Sequence, residues 1–131
     1  MAQKGRLMST KKSVSYYKKK LDVVFKKFIR SRDKKCLHCG CLENLQASHS
    51  IPISHGNRLR YDEKNVITLC YHCHLNWWHK NPIEAGEWFK NKFPENYEYI
   101  EMVKNERVKF NIFELEELIK TYKEKLEVLN E

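Results

Sequence analysis

The sequence predicts a small α+β domain in which a zinc ion holds two short strands together and helices flank the strands on both sides. Two Cys-x-x-Cys pairs, Cys36/Cys39 and Cys70/Cys73, are the first indication. Two short segments of strand character between these pairs are the second, and amphipathic segments near both ends of the chain are the third. The length of 131 residues corresponds to a single domain.

The paired cysteines have the spacing of a structural zinc site. Two Cys-x-x-Cys turns can supply four thiolates to one tetrahedral ion, and such a site has no open position for catalysis. Disulfides in a secreted protein are the alternative, but the N-terminus has no apolar segment of the signal-peptide type. Cys41 follows Gly40 directly and is predicted to be the spare fifth cysteine.

The hydropathy of the chain gives no indication of a membrane protein. No apolar run approaches the ~18–20 residues that a membrane-spanning helix requires. We therefore expect a cytoplasmic protein without membrane contact, whose reduced thiols are available to zinc.

Positive charge is concentrated in the N-terminal quarter of the chain. Residues 1–35 carry 13 Lys or Arg against two acids, a net of +11, whereas residues 36–131 carry 12 against 15, a net of −3. A basic arm on a near-neutral body favours a polyanionic partner, most simply DNA, because each neutralised phosphate releases a condensed counterion. A lysine-rich face that only keeps the protein soluble is the alternative. The lysines predicted to face outward from the first helix and contact DNA are Lys19, Lys20, Lys26 and Lys27.

The first half of the chain is predicted to hold an arm, one helix and two strands. Residues 1–14 are polar and basic without apolar periodicity, which predicts a disordered arm. Residues 15–31 place their apolar side chains on one stripe, which predicts a helix. Strands are predicted over residues 44–50, which Pro52 ends, and over the β-branched residues 66–69.

Helices dominate the predicted second half, beginning at His74 and covering residues 82–92, 95–104 and 112–130. Pro82 suits a first helical turn, and Asn111 with Glu114 forms a capping box. We place a core domain at residues 15–110 and a C-terminal amphipathic helix at residues 111–131. The apolar stripe of that helix can pack on the core of its own chain or form a homodimer interface.

The segment around the cysteine pairs resembles the HNH, or ββα-metal, nucleases. His49 ends the first predicted strand, Asn65 opens the second, and His74 follows the last cysteine. Within that group, three stretches are most similar to the phage NinG (Rap) recombination endonucleases: Ala-Ser-His-Ser-Ile-Pro at 47–52, Leu-Arg-Tyr-Asp-Glu-Lys-Asn-Val at 59–66 and Cys-Tyr-His-Cys-His at 70–74. The resemblance covers residues 18–100 and implies a ββα-metal core, with the cytoplasm of a phage host as the location.

The resemblance also implies a role for each of these residues. His49 matches the general base, Asn65 the residue that braces the loop, and His74 a ligand of the catalytic divalent ion, magnesium or manganese. Histidine suits the first role because its pKa lies near neutral pH. His79 is a second ligand candidate, although side chains five residues apart on an ideal α-helix do not face the same way, so the helix would have to end or bend after Trp78.

One position departs from the pattern of many HNH enzymes. Those enzymes have an aspartate or histidine that binds the metal just before the catalytic histidine, and this chain has Ser48. A neutral hydroxyl is a poor ligand for a hard cation. The NinG pattern also has a small residue there, and the groups that could complete the ligand set are His79, His55, Asp62 and His49 itself.

Two arginines on the loop before Asn65 are candidate phosphate ligands. Arg58 and Arg60 can each contact a DNA phosphate through two parallel hydrogen bonds. A solvated loop without such contacts is the alternative.

The resulting prediction is a metal-dependent HNH endonuclease that hydrolyses DNA phosphodiester bonds. The NinG resemblance implies branched recombination intermediates as its substrate. A non-catalytic zinc-ribbon DNA-binding module, which Ser48 favours, is one alternative. A component that pairs with a partner protein through its C-terminal helix is another.

Overall fold

A computed structural model describes residues 12–130 and confirms the α+β class. The predicted arm at residues 1–14 lies mostly outside the described residues. Short 3₁₀ turns at Ile53–His55 and Glu63–Asn65 lie within the connection between the strands. The described residues form five helices and an antiparallel pair of strands, in the order α1 (Val14–Asp33), β1 (Leu45–His49), β2 (Val66–Cys70), α2 (Tyr71–Cys73, continuing as a π-helix over His74–Trp78), α3 (Pro82–Lys92), α4 (Pro94–Val103) and α5 (Ile112–Leu129).

Strand β2 is buried along its whole length because helices cover both of its faces. Side chains alternate between the two faces of a strand. Val66 packs into a core formed with α1 and α5, whereas Ile67 and Leu69 pack into a second core formed with α2, α3 and α4. Strand β1 pairs with β2 on one side only, with His49 opposite Val66.

The first core joins the two long helices at opposite ends of the chain. Leu21 and Phe25 of α1 pack against Leu115, Ile119 and Tyr122 of α5, and all five are buried. The apolar stripe of the C-terminal helix therefore packs on its own chain, which was one of the two predicted uses. A homodimer stays a prediction.

The second core surrounds the cysteines. Cys36, Cys70 and Cys73 are buried together with Trp78 of the π-helix and Phe89 of α3. Trp78 thus packs in the core and does not offer its ring to solvent.

Capping groups set the ends of several helices. Ser13 caps α1 by accepting from the amide of Tyr16 at 3.1 Å, and the predicted capping box of Asn111 and Glu114 is present at α5. The helix predicted to begin at His74 begins instead at Tyr71. Cys70 precedes it as N-cap, because its sulfur accepts from the amide of Cys73 at 3.5 Å.

The C-terminal end of α1 is fastened to β2. Asp33 accepts from the main-chain amide of Thr68 at 2.9 Å, and the Thr68 hydroxyl donates to the carbonyl of Ile29 at 3.2 Å. The Arg32 guanidinium donates to the carbonyls of Glu63 and Val66 at 2.9 and 2.7 Å. The lysine-rich helix therefore has a fixed position relative to the strands.

None of the helices between residues 12 and 130 combines the length and the apolar character needed to span a membrane.

Replacing Leu115 by Ala should lower the free energy of unfolding by about 2–5 kcal/mol, because the side chain is fully buried between α5 and α1. Leu129 on the same helix is 38% exposed, so Leu129→Ala should change the free energy of unfolding by less than about 0.5 kcal/mol. Urea unfolding followed by circular dichroism measures both. Equal, small effects would show that the α1–α5 interface does not stabilise the domain.

Candidate active site and zinc centre

The four predicted zinc ligands converge on one point. The sulfurs of Cys36, Cys39, Cys70 and Cys73 all lie within 4.8 Å of one another, and those of Cys39 and Cys70 are 3.7 Å apart. A tetrahedral zinc ion with bonds of about 2.3 Å requires sulfur separations of about 3.8 Å. The donor set and its spacing therefore fit a structural zinc ion. Cys41 lies outside the cluster, with its sulfur near the main chain of Glu43.

The first turn between the cysteines stabilises the thiolate of Cys36. The amide of Cys39 donates to the sulfur of Cys36 at 3.4 Å, and Gly40 closes the first turn with a φ of +83°, which favours glycine. Burial raises the pKa of Cys36, but hydrogen bonds from nearby amides together lower it more, to about 7. A thiolate is the form that binds zinc.

The two histidines inside the cysteine pairs differ in their surroundings. His38 lies with Nδ1 3.4 Å from the sulfur of Cys73 and stacks on the Trp77 ring at a centroid distance of 3.7 Å. His72 is exposed and contacts the side chain of Asn76. His38 thus belongs to the surroundings of the zinc ligands.

Asn65 braces both ends of the loop between the strands. Its side chain is fully buried, accepts from the amide of Ile51 at 2.8 Å, and donates to the carbonyls of Ile51 and Leu59 at 3.0 and 3.1 Å. These bonds use the amide oxygen and both amide hydrogens. The loop that carries Arg58 and Arg60 is therefore closed by one side chain.

His49 lies at the end of β1 with its ring in a defined orientation. Its Nε2 is 2.9 Å from the main-chain carbonyl of Arg60, which can only accept, so Nε2 carries the hydrogen and Nδ1 keeps a lone pair. The carbonyl of His49 accepts from the indole of Trp78 at 3.1 Å. Burial lowers the pKa of His49 and keeps the ring neutral near pH 7.

His74 is oriented by a residue that the sequence patterns do not identify. Its Nδ1 is 2.5 Å from the side-chain oxygen of Gln46 on β1, so Nδ1 donates and Nε2 keeps a lone pair. Burial lowers the pKa of His74 to about 4, and the neighbouring His79, His49 and Lys26 contribute to the decrease. The only signal for Gln46 in the sequence is its place on a predicted strand, which does not reveal its partner.

A π-helix brings His79 next to His74. The amide of His79 donates to the carbonyl of His74 at 3.1 Å, a bond between residues five apart. The two Nε2 atoms are consequently 2.9 Å apart. The sequence predicts that the helix must end or bend after Trp78 for this approach. The helix does end at Trp78, and the widening of its last turn into a π-helix brings His79 to His74.

The other candidates for a metal ligand are engaged elsewhere. Ser48 is fully buried on β1 and contacts the carbonyl of Gln46. Asp62 accepts from the hydroxyl of Tyr99 at 2.5 Å, and His55 contacts the carbonyl of Lys104 at 2.9 Å.

The predicted DNA contacts fall into two groups. Lys19, Lys20 and Lys27 are exposed on α1, whereas Lys26 is half-buried and lies near enough to lower the pKa of His49 and of His74. Within residues 12–130, no carboxylate forms an ion pair with Lys26.

Arg58 and Arg60 both form ion pairs with carboxylates of their own chain. Arg58 contacts Glu106 at 2.8 Å and Asp62 at 3.4 Å, and Arg60 contacts Asp22 at 2.8 Å. Binding of DNA by these two residues stays a prediction.

Replacing Cys70 by Ser should abolish high-affinity zinc binding and cooperative unfolding, because zinc ligation contributes directly to folding in sites of this type. Cys41→Ser is the matched control and should keep one zinc ion per chain, since Cys41 lies outside the cluster. Metal content by mass spectrometry and thermal unfolding measure the two effects. Full zinc content in the Cys70 variant would contradict the assignment.

Comparison with known proteins identifies the family. No curated protein and no solved structure matches the chain. The family model described as "Bacteriophage Lambda NinG protein" matches residues 1–131. The chain therefore belongs to the NinG family.

Proposed function

We propose that the chain is a metal-dependent endonuclease of the HNH type that hydrolyses DNA phosphodiester bonds in branched recombination intermediates. Membership of the NinG family supports this proposal. The observation that carries it is the orientation of two neutral imidazoles. His49 donates through Nε2 and His74 through Nδ1, so each ring keeps one lone pair.

His49 is suited to be the general base. A water molecule that attacks a phosphodiester must lose a proton in the transition state, and a neutral imidazole can accept it. The bond from Nε2 to the Arg60 carbonyl leaves Nδ1 for this purpose. In-line attack would then proceed from the side of the phosphate that faces Nδ1.

His74 and His79 are suited to hold a divalent cation. Their Nε2 atoms face each other and could bind one ion if the two rings moved slightly apart. Gln46 fixes the tautomer of His74 through Nδ1, as hydrogen-bond partners of metal-binding histidines commonly do. A divalent cation held by these two histidines would supply positive charge for the phosphate and leaving oxygens.

The four cysteines have a different task in this proposal. A zinc site with four cysteine ligands is closed and cannot bind substrate. It connects the segment before β1 to the start of α2, and His74 directly follows the last ligand. Zinc would thus fix the distance between the two imidazole sites.

Affinity for DNA would come from α1. Its exposed lysines, Lys19, Lys20 and Lys27, can neutralise phosphates without regard to sequence. Lys26 places a half-buried positive charge near the two histidines and is the best candidate to contact the reacting phosphate.

A non-catalytic zinc-containing DNA-binding module is the second candidate. The observation that favours it is Ser48, which is fully buried and supplies no metal ligand. The same lysines and the same cysteine cluster would serve such a module.

Replacing His49 by Ala should lower the rate of junction cleavage by about 10²–10⁴-fold, because the general base is removed. DNA affinity should remain, since the lysines of α1 are untouched. The measurement uses zinc-loaded protein with added magnesium or manganese on linear, nicked, flap and four-way junction DNA. His72→Ala is the control, because His72 is an exposed histidine whose ring is hydrogen-bonded to the side chain of Asn76.

Each outcome of this experiment has one meaning. Cleavage that needs added metal and is lost in the His49 variant supports the nuclease. Equal, metal-independent activity in both proteins would support the binding module. Equal cleavage of all four DNA structures would remove the preference for branched DNA and leave the nuclease intact.

Replacing Lys26 by Gln should lower kcat by about 100-fold with a small change in DNA affinity, because a charge near the reacting phosphate acts mainly in the transition state. Lys27→Gln on the exposed face is the matched control and should weaken binding and its salt dependence while leaving kcat unchanged. Single-turnover cleavage and fluorescence anisotropy separate the two effects. Equal behaviour of both variants would contradict a special role for Lys26.

A further inference from the structure

We infer that Asp22 and Arg60 form a pair that positions His49, and that Arg60 does not bind a DNA phosphate. The inference rests on the proposed function and assigns Arg60 a role other than the one that its sequence position predicts. Arg60 is a positioning residue here, because it acts on the reaction only through the ring of His49.

The contact between Arg60 and His49 is made by the main chain. Among the described residues, the Arg60 carbonyl has the His49 ring as its hydrogen-bond partner, at 2.9 Å from Nε2. A shift of this carbonyl would allow the ring to rotate or to take the other tautomer, in which Nδ1 carries the hydrogen. The position of one peptide group therefore decides whether Nδ1 can accept a proton.

The side chain of Arg60 anchors this peptide group to α1. Its guanidinium donates to the Asp22 carboxylate at 2.8 Å, with only 17% and 21% of the two side chains exposed. Asp22 lies one turn before Phe25 and Lys26, and the Phe25 ring centroid is 6.4 Å from that of His49. Helix α1 thus supports His49 in two ways, through packing and through the Asp22–Arg60 pair.

The residues on either side of Arg60 are held by hydrogen bonds of their own. Asn65 holds the carbonyl of Leu59, the residue before, and the amide of Asp62 donates to that same carbonyl at 3.3 Å. These bonds fix the loop up to Leu59. On the other side of the peptide group, the Tyr61 hydroxyl donates to the carbonyl of Lys18 at 3.2 Å, and the Tyr61 carbonyl accepts from the Tyr122 hydroxyl at 2.7 Å. Between these two anchors, the ion pair with Asp22 is the contact that holds the side chain of Arg60 itself.

The environment of Arg60 is unsuited to a phosphate contact. Its charge is already balanced by Asp22, and its Nε is buried without a hydrogen-bond partner among the described residues. A phosphate bound to Arg60 would lie beside the Asp22 carboxylate and be repelled by it. The Nε atom is buried, so a phosphate could not reach it without a shift of the surrounding side chains.

Asp22→Asn and Arg60→Gln test the inference together. Both variants should lower kcat on four-way junction DNA by on the order of 10- to 100-fold, the usual effect of removing a group that orients a functional imidazole. DNA affinity and its salt dependence should stay unchanged in both. The double variant should be no worse than either single variant, because the two residues act as one unit.

The opposite assignment makes a different prediction. If Arg60 binds a phosphate, Arg60→Gln weakens DNA binding and reduces the slope of log K against log salt by about 1. Asp22→Asn would then free Arg60 and strengthen binding. This pattern, with kcat preserved in Asp22→Asn, would overturn the inference.

An NMR measurement separates this inference from the proposed function. The ¹⁵N shifts of the His49 ring report which nitrogen carries the hydrogen, with or without activity. We expect the Nε2–H tautomer in the wild type and a mixture in Asp22→Asn, which keeps the size of the side chain and so tests the pair even if Arg60→Gln does not fold. An unchanged tautomer in folded Asp22→Asn overturns the inference, whereas absence of cleavage by the wild type overturns only the proposed function.

Discussion

The burial of β2 between two helical layers is the constraint on which the rest of the structure depends. Its first residue, Val66, follows Asn65, which closes the loop of Arg58 and Arg60, and its last residue, Cys70, belongs to the cysteine cluster. A shift of the strand by one residue would turn its apolar side chains from one core to the other. The five residues of β2 therefore fix the positions of both the loop and the cysteine cluster. His49 lies opposite the first of these residues, and His74 follows the last by four positions.

Much of this arrangement follows from short-range patterns in the sequence. The two Cys-x-x-Cys pairs specify the cluster because their spacing is that of a tetrahedral zinc site with four cysteine ligands. The stripe of α5 and its capping box specify that helix because both depend on residues three or four positions apart. These signals need no knowledge of the rest of the fold, and the bounds predicted for the long helices agree with the structure to within about two residues.

The details of the candidate site depend on contacts between distant residues and were not predictable in this way. The approach of His79 to His74 results from a π-helix, which no local residue pattern indicates. Gln46 is 28 positions from His74, and Asp22 is 38 from Arg60. A loop arginine looks the same in a sequence whether it faces solvent, a phosphate or a carboxylate of its own chain, so the partner decides its role.

The partner of Asp22 also decides the charge that the site presents. Asp22 and Lys26 are four residues apart on α1, a spacing at which opposite charges commonly pair on a helix surface. Here Asp22 pairs instead with Arg60, at 2.8 Å. One carboxylate thereby neutralises the arginine that lies behind His49 and leaves Lys26, near the two imidazoles, without a carboxylate partner among residues 12–130. In the proposed mechanism, the ion pair that positions His49 would therefore also preserve a positive charge where the phosphate is expected to bind.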